Sequence, residues 1–291
     1  MSAAFDYVRV DSVAEATKRL GASAEDAAVL AGGTDLLVEL RNRTRSPSLL
    51  VDVKRIPELR RLEGDDRQGL LIGAAVPLNT VAEDGRLQRS YRALAEAAAS
   101  IGTYQIRSRA TVAGNLANAS PAADTAPPLC VLGAELEIAG PTATRSLPVG
   151  ELFVGVKRTA LRPGELITAV RLPPAAAGLR SAFVKQQRIR GHDLAIVNVA
   201  GAIDRASGRL RVAIGSCAPT PVVLPTLEHP MQGEVDVDVL AREINELAQA
   251  AVAPISDLRG SAAYRRRLIP VLLRRLLGRL FAEEEGADAT D

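Results

Sequence analysis

The chain has only two cysteines, two histidines and no tryptophan in 291 residues, and each shortage removes a class of chemistry. Cys130 and Cys217 cannot build a disulfide framework, and neither stands in a C-x-x-C pair. Two thiols also fall short of the four-cysteine set that usually holds an iron–sulfur cluster. His192 and His229 are too far apart for H-E-x-x-H zinc chemistry. Neither a G-x-x-x-x-G-K-[ST] phosphate loop nor a G-x-G-x-x-G dinucleotide fingerprint occurs. Aromatic residues make up 3% of the chain, too few for a base-stacking platform. With 36 Lys plus Arg against 34 Asp plus Glu, the net charge of +2 gives no basic surface, so no nucleic-acid partner is expected. No apolar run approaches the ~20 residues of a membrane-spanning helix, so an integral membrane protein is not expected. The N-terminal MSAAFDYVRVDS has early acids and no apolar core of a secretory signal, so a cytoplasmic chain is expected. Any catalysis must borrow its reactivity from a bound group.

What is present suits two domains. Ser12-Val-Ala-Glu15 reads as a capping box opening a helix over 13–20, with Glu15 reaching back to Ser12. Ala28–Ala31 and Leu49–Val53 read as buried strands around a short helix over 36–40, a β–turn–α–β unit with glycines at the strand exit. After the break at Ile56-Pro57, strands are expected over 70–74, 134–138 and 166–172, with helices over 94–101 and 124–132. Pro173-Pro174-Ala-Ala-Ala-Gly178 is the clearest boundary. Beyond it, 181–184, 194–203 and 210–214 read as a three-stranded meander. Helices over 237–251 and 261–280 follow, the second with a kink at Pro270. The tail from Glu283 to Asp291 reads as disordered.

Two segments carry small hydrogen-bonding residues at unusual density. Leu30-Ala-Gly-Gly-Thr-Asp-Leu36 turns a strand through two glycines into a helix, where backbone amides and the Thr34 hydroxyl can hold a phosphate. A plain β–α turn would carry the same residues. Thr111-Val-Ala-Gly-Asn115, followed by Ala119-Ser-Pro-Ala-Ala-Asp124, is either two structural loops with Asp124 as a helix cap or one side of a clamp on a polar ligand.

Together, A-G-G-T-D-L at 31–36 and I-R-x-x-A-T-V-A-G-N-L…A-S-P-x-x-D at 106–124 resemble the FAD-binding subunit of molybdenum hydroxylases. That family includes the medium subunit of aerobic carbon monoxide dehydrogenase and the flavin portion of xanthine dehydrogenase. Leu161-Arg-Pro-Gly-Glu-Leu-Ile167, Ala182-Phe-Val-Lys185 and Gly191-His-Asp-Leu-Ala195 fit the same order, so the resemblance spans the chain.

The resemblance implies an α+β fold: a two-part FAD-binding domain of the vanillyl-alcohol-oxidase (PCMH) type over 1–175, with subdomains of about 1–56 and 57–175. A smaller C-terminal α+β domain would cover 176–291. It implies non-covalent FAD, wrapped at its pyrophosphate by Val29, Leu30, Ala31, Gly32, Gly33, Thr34, Asp35 and Leu36. Thr111, Val112, Ala113, Gly114 and Asn115 would form the second turn, with Ala113 where many relatives have glycine. Asp124 would bind the cofactor, Ile101 would lie near the isoalloxazine, and Ile167 and Lys185 would be an apolar and a basic contact. No residue of this chain is expected to be catalytic or to hold a metal. The molybdenum cofactor and the [2Fe–2S] clusters would sit in a large and a small partner chain, assembled as a dimer of heterotrimers.

Other conspicuous residues have plainer readings. His192 reads as a surface loop residue, and Arg188 and Arg190 as a solvated strand end or an edge facing a partner or cofactor. Six arginines between Arg265 and Arg279 read as the basic outer face of a helix whose Leu268, Leu272, Leu276 and Leu280 face the core. Cys130 reads as a packed small hydrophobe. Besides an electron-transfer subunit, the sequence leaves open a stand-alone flavin oxidoreductase, for which His192, Tyr104 and Tyr264 are the few tether or base candidates. A scaffold that has lost its cofactor would not be expected to keep both glycine turns.

Overall fold

The computed structural model describes residues 5–23, 26–189, 192–228 and 235–282. Arg190, His229 and the tail from Glu283 lie outside them. The first unit is β1 (Asp6–Arg9), α1 (Val13–Ala22), β2 (Ala27–Leu30), α2 (Leu36–Asn42) and β3 (Leu49–Asp52). Its strands run parallel in the order β1-β3-β2, so the Gly32-Gly33 turn leaves from a carboxyl end of the sheet. That is where ligands of parallel α/β sheets bind. Ser12 caps α1 through its hydroxyl, accepting from the Glu15 amide at 3.2 Å. Glu15 does not reach back: its carboxylate pairs with Arg19 at 3.6 Å.

The second unit runs from β4 (Leu62–Asp65) and β5 (Gly69–Gly73) through six helices. These are α3 (Leu78–Glu83), α4 (Gly85–Ser90), α5 (Arg92–Ala99), α6 (Tyr104–Arg107), α7 (Val112–Ala117) and α8 (Ala126–Val131). It then adds β6 (Glu135–Ala139), β7 (Thr144–Pro148), the small hairpin β8 (Phe153–Gly155) and β9 (Arg158–Thr159), and β10 (Leu166–Leu172). The antiparallel sheet β4-β5-β10-β6-β7 supports these helices, with α7 lying against the central β10.

The third unit is the meander β11 (Leu179–Gln186), β12 (Val197–Asp204) and β13 (Arg209–Gly215), extended by β14 (Val222–Val223) and β15 (Leu227–Glu228). Helices α9 (Val237–Ala251) and α10 (Ala262–Phe281) close it. The expected three-stranded meander is therefore present, with two short added strands. Strand β12 reads Val-Asn-Val-Ala-Gly-Ala-Ile and is buried over that whole stretch, because both faces of the sheet are covered. Phe183, Ala200, Ala202 and Ala213 join the core of the preceding units, where α5 and α8 pack. On the other face Val197, Val199, Ile203 and Ile214 meet the leucines of α10.

Helix α10 runs through Pro270 without a break. Two details of it differ from the expectation. Its buried stripe is Ile269, Leu272, Leu273, Leu276, Leu277 and Leu280, with Leu268 only partly covered. Arg267, Arg274, Arg275 and Arg279 lie on its exposed side, as a basic outer face requires, but Arg265 does not. Arg265 is buried and pairs with Asp257 at 2.7 Å, Arg274 pairs with Asp238 at 2.7 Å, and Arg279 reaches Glu96.

Candidate functional site

The two glycine turns touch. A Cβ on Gly32 would lie 2.3 Å from the carbonyl oxygen of Arg109, so only glycine lets the first turn approach the segment that enters the second. Gly33 has φ +78°, the left-handed conformation that glycine adopts without cost. Among the described residues, the amides of Gly32, Gly33, Thr34 and Asp35 find no acceptor in the chain. In the second turn, Thr111 caps α7 by accepting from the Gly114 amide at 3.0 Å, which leaves the amides of Val112 and Ala113 at the helix start without an acceptor. Donors gathered this way favour an anion. A Cβ on Gly114 would meet only the Thr111 hydroxyl, at 3.0 Å, so the remaining space beside it is open.

Side chains fasten the turns together. Asp35 does not cap α2; its carboxylate accepts from Asn118 Nδ2 at 2.7 Å. Lys157 donates to Asn118 Oδ1 at 2.5 Å and to Glu39 at 3.0 Å, tying the β8–β9 hairpin to both. Asn115 Oδ1 accepts from the Thr125 hydroxyl at 2.6 Å, which joins the second turn to the segment carrying Asp124.

Asp124 is no helix cap: Thr125 precedes α8 without a side-chain capping bond. The Asp124 carboxylate instead crosses to the third unit. Oδ2 accepts from Lys185 Nζ at 2.7 Å and Oδ1 from Asn198 Nδ2 at 2.7 Å. The Lys185 and Asp124 side chains are only 6% and 4% exposed, so this is a buried ion pair. Burial pushes the Asp124 carboxyl above its ordinary range, with Lys185 and Asn198 pulling it back.

Lys185 also donates to the Ser100 carbonyl at 3.2 Å, next to Ile101. The Ile101 and Gly102 carbonyls accept from Arg107 at 3.2 and 3.3 Å. Asn79 holds the same Arg107 at 2.9 Å, so the loop around Ile101 is knit from within. Ile167 is buried on β10 beneath α7 and contributes to the core.

Apart from Ile167, the residues singled out in the sequence lie along one series, joined through Asn118 and Thr125, from the first turn through the second to Asp124, Lys185 and Ile101. Val29, Leu30, Ala31 and Leu36 frame the first turn: β2 ends at Leu30, and Leu36 begins α2 with its side chain buried. The plainer readings also find their places. His192 is exposed on a loop, and Arg188 pairs with Asp193 at 3.4 Å. Burial pushes the Cys130 and Cys217 thiols up to about 12, far from reactive. A cavity of about 320 Å³ lined by Tyr91, Pro173, Asp204 and Arg211, among others, shares no residue with the series. Sequence reasoning missed Asn198, Asn118 and Lys157. The one visible signal was Asn198, a lone polar residue inside an apolar strand.

Comparison with known proteins shows the family of the chain. Residues 3–175 match the family described as the FAD binding domain in molybdopterin dehydrogenase, and 182–280 match the CO dehydrogenase flavoprotein C-terminal domain. The chain belongs to this family of FAD-binding dehydrogenase subunits. It is 33% identical to the carbon monoxide dehydrogenase medium chain of Afipia carboxidovorans, over 94% of this chain and 96% of that one. It is 31% identical to the xanthine dehydrogenase FAD-binding subunit of Escherichia coli O157:H7, over 96% and 97%. The carbon monoxide dehydrogenase structure from Hydrogenophaga pseudoflava superposes with a TM-score of 0.90 at 30% identity, over 97% of this chain and 98% of that one.

Membership makes the chain an FAD-binding oxidoreductase subunit of the multi-subunit molybdenum hydroxylase type, with the two-part flavin domain and C-terminal α+β domain expected from its motifs. No helix among the described residues is long and apolar enough to cross a membrane.

Proposed function

We propose that this chain is the electron-transfer flavoprotein of a cytoplasmic molybdenum hydroxylase. It would take electrons from the [2Fe–2S] clusters of a small partner and pass them from FAD to a terminal acceptor, while substrate is oxidised at the molybdenum cofactor of a large partner. The complex is a dimer of heterotrimers. Domain limits are 1–175 for the flavin unit, divided near residue 56, and 176–291 for the C-terminal unit.

The observation that carries this reading is the contact between two glycine turns in which the amides of Gly32 to Asp35, Val112 and Ala113 find no acceptor among the described residues. The residues present fit a pyrophosphate. Backbone donors from Gly32 to Asp35 and from Val112 and Ala113 belong to two turns that Gly32 lets approach each other, and Gly114 leaves room beside the second. In this reading Val29–Leu36 and Thr111–Asn115 hold the pyrophosphate non-covalently. Asp124, Lys185, Ile101 and Ile167 line the flavin-ring end. Bound FAD supplies the redox chemistry, and the protein supplies binding, orientation and access. Lys185, pinned between Asp124 and the Ser100 carbonyl, keeps a fixed cation at that end.

The test is purification of the full chain alone and with its two partners. The lone chain should carry about one FAD that acid precipitation releases, and it should oxidise no substrate. Oxidation of a xanthine, an aldehyde or carbon monoxide should require both partners. Flavin retained on the acid-precipitated polypeptide would overturn the non-covalent assignment. Steady substrate turnover by the lone chain would replace this reading with a stand-alone flavin oxidoreductase.

A further inference from the structure

Lys185, Asn198 and Gly215 stand side by side across three strands. Lys185 on β11 is the register partner of Asn198 on β12, and Asn198 is the partner of Gly215 on β13. The row ends at glycine for a steric reason: a Cβ on residue 215 would lie 2.2 Å from Asn198 Oδ1. That oxygen is buried and accepts from no donor among the described residues. Turning the amide over would set its oxygen against Asp124 Oδ1, acceptor against acceptor. The donor therefore faces Asp124, where the Asn198–Asp124 bond measures 2.7 Å.

A fully buried asparagine with one unsatisfied oxygen is a poor choice for stability alone. The Asp124–Lys185 ion pair does not need it, since Lys185 bonds the other carboxylate oxygen. What Asn198 adds is orientation. With Oδ1 tied to Asn198, the carboxylate cannot swing, and its Oδ2 fixes the Lys185 ammonium in line with the Ser100 carbonyl beside Ile101.

We propose that Asn198 is a positioning residue that tunes the electron affinity of the flavin through the Asp124–Lys185 pair. This rests on the proposed placement of the flavin-ring end beside Lys185 and Ile101. A cation held next to a group that gains negative charge on reduction favours the reduced form, and a cation that wanders favours it less. Releasing the carboxylate should therefore lower the flavin midpoint potential without removing the flavin.

The experiment uses the full chain loaded with FAD, in the variants Asn198→Leu, Asn198→Ala and Lys185→Met and the double variant Asn198→Leu/Lys185→Met. Circular dichroism and flavin stoichiometry are recorded with the midpoint potential of each, and Asn198→Ala is the smaller replacement should leucine not fit. The expected result is full flavin occupancy with a more negative potential in each Asn198 variant, a larger negative shift in Lys185→Met, and no further shift in the double variant. An unchanged potential in the folded, flavin-loaded Asn198 variants would overturn the proposal. So would an Asn198→Leu shift of equal size with or without Lys185, because the asparagine would then act independently of the lysine. If the wild-type chain bound no flavin, the functional reading itself would fall and this inference with it. A shift in Lys185→Met without one in the Asn198 variants would leave the functional reading standing and remove only this one.

Discussion

The glycine turns and the Asp124–Lys185–Asn198 junction adjoin through Asn115 and Thr125, yet they are built on opposite plans. The turns hold backbone donors in reserve, kept apart from the chain's own acceptors by two glycines and a threonine cap. At the junction, side chains from units far apart in sequence consume one another's charge out of water. A region of the first kind gains its stability when ligand arrives. One of the second kind is already complete and orders the domains around it. Perturbations should sort accordingly, with loss of flavin at the turns and loss of stability, in a chain that still folds, at the junction.

The largest effect should come from Asp124→Ala. Treated as a cofactor contact alone, Asp124 would contribute one hydrogen bond, a net of about 0.5–1.5 kcal/mol. As half of a buried ion pair it is worth more, because its removal leaves the Lys185 ammonium uncompensated. Breaking a buried pair by removing one partner costs about 3–5 kcal/mol. The thermal midpoint of the flavin-free variant should fall well below that of wild type. Cys130 in α8 and Cys217 just after β13, whose thiols burial holds near 12, should become open to alkylation at pH 8. A variant with the wild-type midpoint and unreactive thiols would show that the junction does not order the domains.

Gly32→Ala should rank next and damage both properties. The new methyl would meet the Arg109 carbonyl at 2.3 Å, backbone against backbone, so the turns must separate. Overpacking of this kind costs about 1–3 kcal/mol. Calorimetry of the flavin-free chain should record that loss, and gel filtration with FAD should give a colourless protein. Full retention of flavin would mean that contact between the turns is not needed for binding.

Gly114→Ala separates binding from folding. Its methyl meets only the capping hydroxyl of Thr111, at 3.0 Å, which must give by a few tenths of an ångström, while alanine in place of glycine favours a helix by up to about 1 kcal/mol. The flavin-free variant should be as stable as wild type or slightly more so, while its FAD affinity drops because the methyl occupies the space beside the free amides. Unaltered affinity would move the pyrophosphate away from the second turn.

The contrast between the regions also explains what the sequence made legible. Gly32, Gly33 and Gly114 stand in short runs of small residues, so motifs carried them even though the partner of Gly32 is the distant Arg109 carbonyl. The strands flanking the first turn and both C-terminal helices followed from apolar period and capping residues. The junction depends on register: Lys185 meets Asn198 only because β11 and β12 pair at that offset, and neither residue lies near Asp124 in sequence. Arg265 was misplaced on a solvent face for a similar reason. Its acceptors Asp257 and the Ile196 and Ser216 carbonyls come from loops, and loops have no period to read. Short elements such as α6, β8 and β9 carry too few residues to show periodicity at all.

The smallest effect should come from Lys157→Met, which sharpens the comparison from the surface side. Lys157 links Asn118 and Glu39 across the first turn, as Lys185 links Asp124 and Ser100 across the junction, but its side chain is 48% exposed against 6% for Lys185. Water screens the pairing, and holding a long side chain in place costs entropy, so exposed pairs contribute about 0–1 kcal/mol. Salt should distinguish the two lysines. The Debye length shortens from about 10 Å at 0.1 M to about 3 Å at 1 M salt, which weakens exposed charges far more than buried ones. The stability difference between wild type and Lys157→Met should therefore be small at low salt and vanish at high salt, whereas the deficit of Asp124→Ala should persist. Denaturant unfolding of the flavin-free proteins at both salt concentrations measures this. A Lys157→Met deficit that matched Asp124→Ala and survived high salt would show that the turns, like the junction, are held by charge rather than by backbone.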